Sequence, residues 1–425
     1  MKWLRRAPWL IAASMAAVGG WLFFAGHRGA LTAPLAGAMA KNPELIARGE
    51  YLTRAGDCGS CHTEPGGPPF AGGRLLPTPF GSIATPNLTP DRSTGLGGWT
   101  FEAFWRALHE GVGRHGELLY PAFPYTSFTR ITRADARAVF AYLQSLAPVH
   151  RSRQPLGLGF PYNLRRGLAV WRAVYFKPGV FRPDPSRSAQ WNRGAYLVQG
   201  PGHCSACHTA HGAWGGTIGA PLSGGRMVAQ DWYAPGLGTR VHGGLQGWST
   251  QDIVDLLKTG QSAKGSAFGP MAEVVARSTQ YLRDDDLHAI AVYLQSLPPQ
   301  QARMSAVDVP GAAASNRRGR RIYAAQCADC HSADGQGVAG VYPPLDGNSA
   351  ILGPSGVNAI RAVLLGGFPP ATAGNPRPYS MPPYAQQLDD ADVAAVVSYI
   401  RTAWSNHAEA VSQADVFRNR HSPTE

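Results

Sequence analysis

Cys58-Gly-Ser-Cys61-His62 recurs as Cys204-Ser-Ala-Cys207-His208 and again as Cys327-Ala-Asp-Cys330-His331, and the three copies use all six cysteines of a 425-residue chain. Two thiols at this spacing reach the two vinyl-derived carbons of one porphyrin and form thioethers. The histidine that follows then lies under the macrocycle, where its imidazole can bind iron, so Cys-x-x-Cys-His reads as c-type haem attachment. Other readings fit less well. A structural zinc site needs four ligands, usually from a second cysteine pair, and pooling pairs leaves the three adjacent histidines unexplained. A thioredoxin-like redox motif needs no such histidine and would not recur three times. The spacing therefore predicts three covalently bound haem c groups, with Cys58, Cys61, Cys204, Cys207, Cys327 and Cys330 as attachment points and His62, His208 and His331 as axial ligands.

The surrounding sequence repeats with the motif. A helix-like stretch precedes each copy: Arg48-Gly-Glu-Tyr51-Leu52, Arg193-Gly-Ala-Tyr196-Leu197 and Arg318-Gly-Arg-Arg-Ile322-Tyr323. An amphipathic helix closes each unit, over 132–146, 283–297 and 388–404, opening on acidic or hydroxyl residues and carrying an apolar stripe that includes an aromatic. The expected architecture is mainly α: three tandem class I-like cytochrome c domains with Gly/Pro-rich loops, behind an N-terminal signal or anchor segment. The bounds are 41–150, 187–300 and 312–407 for the domains, 151–186 for an ordered, aromatic-rich connector, 301–311 for a plainer linker and 408–425 for a polar tail. The loops account for 51 glycines and 35 prolines, a composition at odds with long uninterrupted bundles.

The second axial ligand of such a haem is usually Met or His. Seven methionines make the search short. Met381, in Tyr379-Ser-Met381-Pro-Pro-Tyr384, precedes the third closing helix. Met271, in Phe268-Gly-Pro-Met271, precedes the second, with Met227 a weaker candidate. The first domain has no methionine between 41 and 150 and reads Ala122-Phe123-Pro124-Tyr125 where the third reads Met381-Pro-Pro-Tyr384. A phenyl ring cannot ligate iron. Haem one therefore takes another donor, with His109 and His115 as candidates, or stays five-coordinate. His203 and His211 flank the second motif, a segment the haem already explains.

The net charge of +12 is scattered, with no long Lys/Arg run and no nucleic-acid module, so nucleic acid is not an expected partner. Residues 1–40 contribute Lys2, Arg5, Arg6 and Arg28 and no acid, leaving +8 on the rest. A basic start followed by an apolar stretch over 8–26 reads as a signal peptide or a retained membrane anchor, and both alternatives export the rest of the chain. Export agrees with covalent haem attachment, which in bacteria occurs outside the cytoplasm.

In the first domain, Gly72-Gly73, Thr78-Pro-Phe-Gly81, Asn87-Leu-Thr-Pro-Asp91, Thr94-Gly-Leu-Gly97, Trp99-Thr100 and Tyr120-Pro-Ala-Phe-Pro-Tyr125 follow one another in order. Phe160-Pro-Tyr-Asn163, Trp191-Asn-Arg-Gly-Ala-Tyr-Leu197, Gly269-Pro-Met271-Ala-Glu-Val-Val275 and Met381-Pro-Pro-Tyr384 continue the series. In these stretches, over roughly 42–405, the chain resembles the triheme cytochrome c subunit of bacterial membrane-bound dehydrogenases acting on alcohols, gluconate, sorbitol, fructose or aldehydes. The resemblance implies axial roles for Met271 and Met381 beside the three histidines. Phe123 departs from the methionine of many relatives. The resemblance further implies a periplasm-facing subunit at the cytoplasmic membrane, with no substrate chemistry of its own. It would pass electrons from a catalytic subunit bearing a flavin, quinone or molybdenum cofactor to ubiquinone. Two other readings compete: peroxidase-like chemistry at an open haem one, and a haem subunit of a terminal oxidase.

Overall fold

A computed structural model describes residues 42–227, 229–238, 244–245, 247–298 and 312–422. The signal or anchor expected over 1–40 and the linker expected over 301–311 lie outside the described residues. No helix among the described residues is long and apolar enough to cross a membrane.

One local plan recurs three times. An opening helix (Pro43–Ala55, Ala189–Gln199, Ala312–Gln326) leads into a motif helix of about one turn (Cys58–His62, Ser205–His208, Ala328–His331). Loops and short helices follow, and a closing helix (Arg133–Ser145, Asp284–Gln295, Asp390–Thr402) returns across the opening one. The closing helices start where their sequences supply caps. Thr132 and Asp389 accept hydrogen bonds from the backbone N–H of Asp135 and Asp392. Arg283 offers no cap, and Asp284, Asp285 and Asp286 place negative charge against the helix N-terminus instead.

The crossing of opening and closing helices explains the repeated Arg-Gly pair. A Cβ at Gly49, Gly194 or Gly319 would fall on the carbonyl of Ala138, Ala289 or Ala395, well inside van der Waals contact. It would also come within 2.8, 2.9 and 2.8 Å of the Cβ of Tyr142, Tyr293 and Tyr399. The preceding arginine locks the crossing. Nε of Arg48, Arg193 and Arg318 donates to Asp135, Asp286 and Asp392, each at 2.7 Å. Arg193 adds a second bond from Nη2 to the other oxygen of Asp286 at 2.8 Å. Because the Asp286 side chain is 5% exposed, Arg193→Ala would take from a buried carboxylate its two short bonds and leave the longer contact with Arg283 at 3.4 Å. We expect a loss of about 2–3 kcal/mol, toward the low end for a broken buried pair because Arg193 is itself partly exposed. Chemical denaturation followed at the Soret band measures it.

The described residues divide into two compact units, one made of those within 42–53, 61–182 and 213–216 and one of those within 54–60, 183–212 and 217–422. In the first, Leu52, Phe101, Phe104, Leu108, Val139, Phe140 and Leu143 form the core. The expected connector is ordered there: Gly157–Leu158 extends a three-stranded antiparallel sheet with Leu75–Thr78 and Gly81–Ala84. Its helix Leu168–Tyr175 buries Leu168 and Ala169 against Val112 and Leu118. In the second unit the second and third repeats meet directly. Asn358 accepts from the Tyr233 N–H at 2.9 Å and donates to the Tyr233 carbonyl at 2.8 Å. The residues read as a polar tail form a helix, Gln413–Arg420, with a Ser412 capping box. Val411 and Val416 sink into the third repeat's core, and Arg420 pairs with Asp390 at 2.7 Å.

Candidate haem sites

The three motif histidines share one geometry. His62 Nδ1 lies 2.7 Å from the Pro86 carbonyl, His208 Nδ1 2.7 Å from that of Pro235, and His331 Nδ1 3.0 Å from that of Pro343. A carbonyl can only accept, so Nδ1 carries the proton in each ring and Nε2 presents its lone pair. A second hydrogen bond holds each backbone: the carbonyls of His62, His208 and His331 accept from the N–H of Gly72, Gly224 and Gly337 at 2.8, 2.8 and 2.9 Å. Burial lowers the pKa of all three imidazoles, partly offset by the bond to the proline carbonyl. The rings are thus neutral and oriented, the state a metal-ligating histidine needs.

The thiols fit the same group. Burial pushes Cys204 up to about 12 and Cys207 and Cys327 up to about 11. Surroundings that disfavour a thiolate suit a thioether, whose sulfur bears no charge. Among the described residues no group of three or more His, Cys, Asp or Glu side chains could hold a metal ion. Paired thiols on one helical turn, followed by a neutral imidazole with its Nε2 available, fit haem c.

The proline carbonyls were missed in the sequence, yet a weak signal marks them. Each opens a Pro-x-Leu triplet, Pro86-Asn-Leu88, Pro235-Gly-Leu237 and Pro343-Pro-Leu345.

The sixth-position candidates are placed as follows. Met381 is half-buried against the third repeat's core, in a two-residue ladder with Gly367. Met271 lies in the first turn of a short helix, Pro270–Arg277, rather than in a loop. Gly269 before it has φ +56, and a Cβ there would meet the Trp232 ring at 2.9 Å. Met227 sits in a strand, Gly225–Met227, opposite Trp232. In the first repeat Phe123 packs against Phe128 and Tyr125, with ring centroids 5.4 and 6.4 Å apart. His109 stacks on Trp105 at 4.6 Å, with its Nδ1 3.0 Å from the Thr129 carbonyl. His115 is exposed, and its backbone N–H donates to Glu117. The structure brings neither histidine together with Phe123 through any of these contacts.

Known proteins give the same picture. The cytochrome c family profile matches this chain three times, over residues 46–147, 192–298 and 317–404. The chain is 39% identical over 413 residues to the cytochrome c subunit of a quinone-type alcohol dehydrogenase from Gluconacetobacter polyoxogenes, covering 90% of this chain and 86% of that protein. It is 37% identical over 391 residues to the gluconate 2-dehydrogenase cytochrome c subunit of Pantoea cypripedii, covering 88% of each. With the fructose dehydrogenase cytochrome subunit of Gluconobacter japonicus it shares 34% over 417 residues, 90% of this chain and 83% of that one. The chain belongs to the cytochrome c family, in the group formed by these dehydrogenase cytochrome subunits.

Proposed function

We propose that this protein is the electron-relay subunit of a dehydrogenase complex, carrying three covalent haem c groups between a catalytic subunit and membrane ubiquinone. The observation that carries the reading is the threefold histidine–proline carbonyl bond, which prepares three neutral imidazoles to ligate iron. The names of the relatives supply the dehydrogenase partner. Bound haem supplies reversible one-electron exchange. The chain's own residues set its conditions. Cys58 with Cys61, Cys204 with Cys207 and Cys327 with Cys330 hold the three groups, and His62, His208 and His331 orient toward iron. Met271 and Met381 are the sixth ligands of the second and third. We assign the domains to 41–150, 187–300 and 312–407, and place the protein on the periplasmic side of the cytoplasmic membrane.

Purification from membranes of the native host tests the reading. A flavin-, quinone- or molybdenum-bearing large subunit should accompany the cytochrome, and its substrate should reduce the haems in the absence of added mediators. A copper–haem core in its place would overturn the dehydrogenase assignment.

Phe123 yields a separate expectation. The first repeat has no methionine between 41 and 150 and reads Ala122-Phe123-Pro124-Tyr125 where the third reads Met381-Pro-Pro-Tyr384, so haem one lacks a thioether ligand from its own repeat. Phe123→Met should add a share of the charge-transfer band of methionine-ligated ferric haem, while haem content stays at three. An unchanged band would show that position 123 does not face the iron.

A further inference from the structure

The residues just before Cys58 are bound to those just before Cys204. Within the second compact unit, which includes 54–60, three contacts seat this segment on the second repeat. The Arg54 guanidinium lies over the Tyr281 ring at 4.3 Å, Ser278 Oγ donates to the Ala55 carbonyl at 3.5 Å, and His203 Nε2 lies 3.2 Å from the Gly56 carbonyl. Since that carbonyl only accepts, His203 donates from Nε2.

The backbone marks the same two repeats. Asp57 and His203, each immediately before the first cysteine of its motif, have φ of +48 and +36. Asp and His are, with Asn, the non-glycine residues that adopt positive φ most readily, and each turn is closed by a local bond, from the Asp57 N–H to the Arg54 carbonyl and from the His203 N–H to the Gly200 carbonyl. The third repeat has no such residue: Gln326 simply ends the opening helix before Cys327. The positive-φ turn is therefore shared by the first and second motifs, and the third Cys-x-x-Cys-His motif does without it.

We propose that His203 is a positioning residue for electron exchange between the haems attached at Cys58 and Cys204, through its hydrogen bond to the Gly56 carbonyl. From the backbone of Cys204, covalent bonds lead through His203 to Nε2, one hydrogen bond crosses to Gly56, and covalent bonds continue through Asp57 to Cys58. A path with one non-covalent step couples two redox centres better than one that crosses a gap. The exchange oxidises one ferrous iron to ferric as the other ferric iron becomes ferrous, and no proton or bond is transferred. The inference deepens the relay reading above and rests on it.

The test uses full-length holoprotein, partly reduced by a light-generated reductant, with exchange among haems followed in the Soret and α bands. No dehydrogenase or quinone is present. His203→Leu removes the donor and His203→Gln retains an N–H near the Nε2 position. In His203→Leu the exchange phase between the first and second haems should slow by about tenfold, with haem content and midpoint potentials unchanged. His203→Gln should restore most of the rate. Wild-type exchange in His203→Leu, or equal slowing in both variants, overturns the proposal. Should His203→Leu fail to load three haems, His203→Asn is read by the same two outcomes, since its shorter amide stops short of Gly56. A wild-type protein whose haems take up electrons but never exchange them would overturn the relay reading itself.

Discussion

Replacing Gly194 by alanine is expected to unseat the closing helix of the second repeat. The added methyl would coincide with the Ala289 carbonyl and press on the Tyr293 Cβ at 2.9 Å. Both belong to the backbone or stem of the helix Asp284–Gln295, so no flexible side-chain end can swing aside. Overpacking a well-filled site costs about 1–3 kcal/mol and occasionally more, and a clash with backbone at a helix crossing belongs at the upper end. Relief requires the closing helix to back away, and this pulls Asp286 from Arg193. The effect is local, because a chain of several repeats does not unfold as one. Hydrogen exchange should show protection lost over 189–199 and 284–295 while the other repeats stay protected, and pyridine haemochrome analysis should still find three haems, because thioethers hold each one covalently. Gly159→Ala is the control: nothing lies within 4 Å of a Cβ there, so exchange and haem content should match the wild type. Native-like protection in Gly194→Ala would mean that the two helices can separate without loss.

The contrast between these glycines shows what could be read in advance. The haem motifs were legible because covalent chemistry demands particular side chains at a particular spacing. The opening and closing helices were legible because their apolar stripes and acidic starts repeat three times. Arg-Gly appeared in all three copies, but only the structure shows that the glycine admits a carbonyl and the arginine reaches an aspartate at the far helix's start. The histidine partners at Pro86, Pro235 and Pro343 were hidden because the working group is a backbone carbonyl, which any residue could supply. The positive-φ turns at Asp57 and His203 were hidden because Asp and His adopt that conformation in some places and not in others, so their presence alone does not announce it. The helix Gln413–Arg420 read as a tail because its own residues are polar, with one short apolar pair, Val411 and Val416, reaching the core.

Met381→His is expected to move one haem potential and leave the other two in place. The backbone at Met381 is held from two directions. Its N–H donates to the Gly367 carbonyl at 2.8 Å, and its carbonyl accepts from the Gly367 N–H at 3.1 Å. Gly366, at φ +88, has no room for a Cβ, which would come within 2.6 Å of the Met381 carbonyl. The loop is therefore fixed by its backbone, and an imidazole at this position enters a frame that the lost thioether did not build. A thioether is a weak donor that favours ferrous iron, whereas an imidazole donates more strongly and favours ferric iron. The exchange should lower the potential of the third haem by on the order of 0.2 V, a fraction of the roughly 0.8 V that axial ligands span. Spectroelectrochemical titration of the holoprotein should resolve the shifted wave, and the methionine-ligated ferric band should lose the share due to one haem. Met271→His should move a different wave by a comparable amount, because its backbone is held by a helix rather than a ladder but the donor change is the same. Three unmoved potentials in Met381→His would remove Met381 from the iron, and a shift common to all three would mean that the substitution acts through the fold.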